Sequence, residues 1–414
     1  MRFGNLTGRA RARCLPLLLS MSALAWVAQA APRTPTADAE VLERLPLRAG
    51  DTSARELATL RAGMTNAPAD PAPAAQLAQR YFDLAMARGD PRYVGYAEAV
   101  VARFPIPLPA SLLSVRGMLR QYRHDFDGAL QDFAGTLAID PDFAAAHAWR
   151  GAIFLVQADY AAARRECEAL QRLKRPSLAG GCMGLVQAYG GQLAAGYATL
   201  QQALQNTSDP DNRLWLLTRL AEAAAWLGQP ALAERHYREA LGLGRDDGYL
   251  LAAWSDFLLD AGRPDEVIRQ LAGWEASDTL LLRLALAETA LQAPGAARHA
   301  QALDDRFAAA RLRGDTTHRA EEARYQLHLR GDVAQALRLA TDNYRVQREP
   351  RDARVLLEAA IAAHDAPAAQ PVRDWLRASG FEDARLQGLG AASAQAAQPA
   401  QAGRRQGSAP AVPR

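Results

Sequence analysis

"ASLLSVRGMLRQYRHDFDGALQDFAGTLAIDPDF", Ala110–Phe143, is followed without a gap by "AAAHAWRGAIFLVQADYAAARRECEALQRLKRPS", Ala144–Ser177. Written one above the other, small residues align: Gly117 with Gly151, and Ala129 with Ala163. Large ones do too: Phe126 with Tyr160, and Phe133 with Cys167. A small residue facing a large one at fixed spacing is what closely packed helices require. A period of this length marks a helix-turn-helix unit that must stack on a neighbour to bury its apolar face. Strand-like alternation of β-branched residues is nearly absent and alanine is abundant, which favours helices.

The period continues outward. Gly228 and Gly262 are 34 residues apart, as are Pro230 and Pro264, and Gly262 and Gly331 are 69 apart. The turn between the first helix (A) and second helix (B) of each unit falls near Gly89, His124, Ala158, Gly191, Gly228, Gly262, Ala293, Gly331 and His364. The same register explains three Arg-Gly-Asp tripeptides, at 88–90, 313–315 and 330–332. Arg88 and Arg330 suit the carbonyl end of a helix, Gly89 and Gly331 take the left-handed conformation that stops it, and Asp90 and Asp332 are expected to cap the next. Gly314 lies half a period before Gly331 and marks a B-to-A turn. The tripeptide is read as helix punctuation, not as an adhesive word.

These units resemble the tetratricopeptide repeat (TPR). "GDPRYVGYAEAVV", "HDFDGALQDFAGTLAIDP", "ADYAAARRECEAL" and "HRAEEARYQLHLRGDVAQALRLATDNYRVQREPRDARVLLEAA" are similar to segments of a family of secreted proteobacterial TPR proteins. The resemblance implies an all-α, right-handed TPR superhelix, an α-solenoid of helix-turn-helix repeats, and export, but no reaction. The expected organisation is a signal peptide at 1–30, an Ala/Pro-rich linker with a short helix at 31–73, a solenoid of eight or nine repeats at 74–388 and a disordered tail at 389–414. In such an array Cys167 lies on helix B of one unit and Cys182 on helix A of the next, and those helices pack together. The pair is a disulfide candidate, closing a loop worth roughly 3 kcal/mol; two buried thiols remain the alternative.

The first thirty residues carry Arg2, Arg9, Arg11 and Arg13, then an apolar run from Leu15 to Val27 too short to span a bilayer, then Ala28-Gln29-Ala30. That is the pattern of a Sec signal peptide cleaved near Ala30. The expected location is periplasmic or secreted, with no membrane span after cleavage. Of 48 basic and 45 acidic residues, the leader holds four and none, so the remainder balances at 44 against 45, a net of −1. Nothing in it supports nucleic-acid binding.

A solenoid offers its concave face, lined by A helices, to partners. Carrying the family's inward positions over places Tyr122, Tyr189, Trp215, Glu222, Trp226, Tyr249 and Asp256 there. Aromatics and acids on a concave face can clamp a peptide; Trp215 and Trp226 also fit packing between repeats. The lysine-asparagine clamp of chaperone-binding TPRs is missing, because its places hold Ser114, Met118, Ala148, Ala152, Thr218 and Glu222. In "HRAEEARYQLHLRGD", His318, Glu321 or Glu322, Tyr325 and His328 recur at helical steps and are expected on the same concave face. His318 with Glu322 is the one pair near metal-ligand spacing; a polar helix laced to Arg319, Arg324 and Arg330 is the competing reading.

No HExxH, G-x-S-x-G, P-loop or dinucleotide fingerprint occurs, and no catalytic residue is nominated. The expectation is a non-catalytic exported scaffold, without cofactor, that binds a protein or extended peptide. The alternatives are a structural subunit of an envelope export or polymer-assembly complex, and a periplasmic metal-handling protein.

Overall fold

A computed structural model describes residue 37 and residues 51–395. The signal-peptide reading and most of the tail fall outside the described residues. Every element from Thr52 onward is helical, and among the described residues there is no strand.

After α1 (Thr52–Asn66), nine pairs follow. They are α2 (Pro71–Arg88) with α3 (Arg92–Val101), α4 (Ala110–Tyr122) with α5 (Phe126–Ile139), and α6 (Ala144–Val156) with α7 (Tyr160–Arg172). Next come α8 (Pro176–Tyr189) with α9 (Leu193–Gln205), α10 (Pro210–Trp226) with α11 (Pro230–Gly242), and α12 (Gly248–Asp260) with α13 (Pro264–Leu271). The last are α14 (Asp278–Ala290) with α15 (Ala296–Leu312), α16 (Arg319–Tyr325) with α17 (Val333–Val346), and α18 (Pro350–Ala362) with α19 (Gln370–Ser379). A π-helical turn, Gln326–Arg330, extends α16, and α20 (Ala384–Gln395) ends the array. Partners within each pair pack on one another, and successive A helices, α2 through α18, pack in sequence. This is an α-solenoid.

The left-handed residues reproduce the period. Gly89, His124, Ala158, Gly191, Gly228, Gly262, Gln292, Gly331 and His364 all have φ between 52° and 76°. The turn expected at Ala293 sits one residue earlier, at Gln292. Asp332 caps α17 as expected, and Asp125 and Asp159 cap α5 and α7 in the same way, by accepting from a backbone N–H. At α3 the N-cap is Pro91, and Asp90 instead accepts from the Arg92 N–H at 3.1 Å and pairs with the Arg92 guanidinium. Small-against-large packing accounts for the rest. A Cβ added at Gly117 would lie 2.8 Å from the Phe133 ring, so that unit closes only around glycine.

Two boundaries differ from the expectation. α1 docks on α2, with Leu57 and Met64 buried and Arg61 Nε donating to Tyr81 Oη at 2.7 Å. α20 runs through residue 388 to Gln395, and Ser393 is buried.

The array also curls back on itself. α2 packs against α12. A Cβ at Gly89 would fall 2.2 Å from Ser277 Oγ, and one at Gly248 would lie 3.0 Å from the Met86 carbonyl. The C-terminal pairs cross the early ones. The Arg348 N–H donates to Val156 O at 2.7 Å, Trp375 Nε1 to Tyr160 Oη at 2.8 Å, and the Leu193 N–H to Glu382 at 3.2 Å. One core cluster accordingly unites residues 155–223 with residues 323–386.

Candidate functional site

The inward faces of the A helices meet around one cavity of about 660 Å³. Its wall takes Gln121, Tyr122 and His124 from the end of α4, Glu222 and Trp226 from α10, and Tyr249 and Asp256 from α12. α14 adds Arg283; α16 adds Glu321 and Arg324; Glu349 and Arg351 stand at the start of α18. The concave surface is therefore a partly enclosed chamber, not an open trough along the array. At Tyr189 and Trp226 the wall is backed by the C-terminal part of the chain: Phe381 is fully buried, with its ring 6.0 Å from Tyr189 and 5.2 Å from Trp226.

The wall is dense in ion pairs. Asp256 accepts from Arg283 Nη2 at 2.7 Å and Arg324 Nη1 at 3.0 Å. Burial opposes its ionisation, but the two guanidiniums outweigh that and hold its carboxyl well below the usual range. Glu222 accepts from Tyr249 Oη at 2.7 Å and Arg219 Nη1 at 3.0 Å. Arg351 Nη2 donates to Glu349 at 2.8 Å, and its guanidinium lies 5.3 Å from the Tyr249 ring centre. Burial pushes Tyr122 up to about 12 and His124 down to about 4, so both are neutral at pH 7. Burial, reinforced by Glu349, pushes Asp352 up to about 7. Its carboxyl accepts from Asn343 Nδ2 at 2.8 Å and from the Glu349 N–H at 3.1 Å, which closes the first turn of α18. Those bonds explain the acid pair as a helix start, not as acid–base machinery.

Of the residues expected on the concave face, Tyr122, Tyr189, Glu222, Trp226, Tyr249, Asp256, His318 and Glu321 reach this wall. Three do not. Trp215 fills the seam between α8 and α10, where a Cβ on Gly181 would come within 2.2 Å of its ring. Tyr325 is fully buried against Phe307 and donates to Ala300 O at 3.1 Å. His328, in the π turn, points to Glu358 at 3.2 Å, outside the wall. The reason is phase. The face of α16 that meets the cavity carries His318, Ala320, Glu321 and Arg324, while Glu322 and Tyr325 lie on the side turned to α15. Glu322 pairs with Arg311 there. His318 and Glu322 thus do not converge, and the metal pair is withdrawn. Among the described residues no group of three or more His, Cys, Asp or Glu side chains could hold a metal ion.

Cys167 on α7 and Cys182 on α8 form a disulfide, with Cα atoms 5.5 Å apart. The Arg219, Arg283, Glu349 and Arg351 contributions were missed from sequence. The charge-rich run "REPRDAR", 348–354, is the signal in the sequence for Glu349 and Arg351.

No family model matches the chain, and no curated protein matches it. Among solved structures, the crystal structure of the P58(IPK) TPR domain at 2.5 Å is similar over 84% of this chain and 94% of that one, at 14% identity and a TM-score of 0.22. At that superposition the likeness says nothing of function, and the architecture rests on the chain's own helix pairing. Fold and site together define an all-α solenoid of stacked helix pairs around a charged internal chamber.

Proposed function

We propose that this protein is a non-catalytic scaffold, exported to the periplasm or beyond, that grips a short segment of a partner protein or peptide in its central chamber. The observation that carries this is the convergence of A-helix side chains from α4 to α18 on one cavity. A preformed wall of paired charges and aromatic rings binds without a large ordering cost. Export rests on the basic and apolar leader at 1–30, and kinship with secreted proteobacterial TPR proteins on the repeat segments quoted above. A cavity lined by charged and aromatic side chains favours this over a purely architectural role in an envelope complex, which would need no charged interior.

Peptide-display selection against the purified chain tests the reading. Selected peptides should lose at least about tenfold in affinity on Ala225→Trp, which fills the chamber, since each 1.4 kcal/mol is tenfold. They should be indifferent to Glu168→Ala on the outer side of α7. Peptides that bind the Ala225→Trp chain as well as the wild type would sink it. Fractionation of the expressing cell tests export: cytosolic chain with an uncleaved leader contradicts it.

A further inference from the structure

Most wall charges are spent on one another. Asp256 is held by Arg283 and Arg324, Glu222 by Arg219, and Asp260 by Arg354 and Arg385. Two opposite groups keep capacity to spare. Glu321 has His318 at 4.0 Å and the Thr279 hydroxyl at 3.4 Å, and no arginine bonded to it. Arg351 gives one nitrogen to Glu349 and leaves Nε and Nη1 uncommitted, with its side chain 52% exposed toward the chamber. Glu321 and Arg351 line the same cavity and each favours the other's ionised form, yet they make no ion pair. Arg283, 4% exposed, adds a buried Nε with no partner.

We propose that the chamber binds a small zwitterion, a free amino acid or a peptide of two or three residues, with its ammonium on Glu321 and its carboxylate on Arg351. The proposal rests on the reading that the inward face is the binding face. Charge selects the class. A lone anion on Arg351 would leave Glu321 without a bonded cation, and a lone cation on Glu321 would leave the two free Arg351 donors unused. Either leaves a charged wall group without its complement, which lowers affinity. A zwitterion satisfies both at once, through charge-assisted hydrogen bonds to a fork-shaped guanidinium at one end and a carboxylate at the other. Size agrees: about 660 Å³ falls in the range of pockets that enclose small ligands.

Calorimetry on the purified full chain tests this with trialanine, its N-acetyl form, its C-terminal amide, and a pool of the twenty amino acids. Trialanine or the pool should bind. Acetylation and amidation should each weaken binding at least about tenfold, the loss expected for one charge-assisted bond. Glu321→Gln should abolish only the discrimination against the acetylated peptide, and Arg351→Gln only that against the amide. This crossed pattern cannot come from a variant that merely unfolds. Blocked and free peptides binding equally well would overturn the proposal. So would silence from trialanine and the pool while display-selected peptides still bind in the chamber, and that result would leave the scaffold reading standing. Selected peptides that ignore Ala225→Trp would remove both.

Discussion

Gly191 and Gly228 occupy the same register position and both have positive φ, 76° and 71°. Their surroundings differ. A Cβ at Gly191 would lie 2.8 Å from Ser379 O and 2.9 Å from Gly380 O, whereas at Gly228 it would meet nothing. Gly228→Ala should therefore cost only the left-handed penalty of about 1–2 kcal/mol, and Gly191→Ala clearly more, read as a larger drop in the urea midpoint. Equal losses would show that the carbonyls of the C-terminal segment do not press on the turn. Titration is also set residue by residue. His124, depressed to about 4, contributes stability present above the unfolded value of about 6.5 and lost as pH falls through 4. Asp352, raised to about 7, contributes stability present below its unfolded value of about 3.9 and lost as pH rises through 7. The slopes oppose each other across pH 4–7. His124→Gln should make stability fall more steeply with rising pH there, and Asp352→Asn should make it rise more steeply; chemical denaturation at several pH values distinguishes them.

Among elements, the α7–α8 seam is tied covalently. The Cys167–Cys182 bond closes a separation of 15 residues. Replacing both cysteines by alanine should cost about 2–4 kcal/mol. In a chain beginning after Ala30, thiol titration of unfolded, unreduced protein should find almost no free thiol; two per chain would reject the bridge. Helix α16 shows why an element's period is easier to read than its phase. Helical spacing from His318 to His328 was plain, but residues three and four apart span a wide arc. Only the packing of Tyr325 into the core decided which part of that arc faced inward.

For the whole molecule, the decisive contact is Phe381. It sits where Tyr189, Trp226 and Trp375 converge and holds the C-terminal helices across the early repeats. Phe381→Ala should destabilise by about 3–5 kcal/mol. It should also red-shift tryptophan emission as Trp226 and Trp375 become wetter. Unchanged emission and stability would mean the solenoid does not depend on that closure.

The sequence by itself determined what is local and repeated. The 34-residue period, the left-handed turns from Gly89 to His364, the cap at Asp332 and the neighbouring cysteines all follow from backbone sterics and nearest-neighbour packing, which leave marks at fixed spacing. Eight of the inward residues were legible for the same reason. Tertiary structure alone decided that the concave face closes into a chamber, that Phe381 packs against Tyr189 and Trp226, and that Arg351 and Glu321 both line the chamber without forming an ion pair. Those outcomes depend on small rotations between repeats summed over the array. They bring together residues such as Tyr160 and Trp375, whose meeting no local pattern encodes.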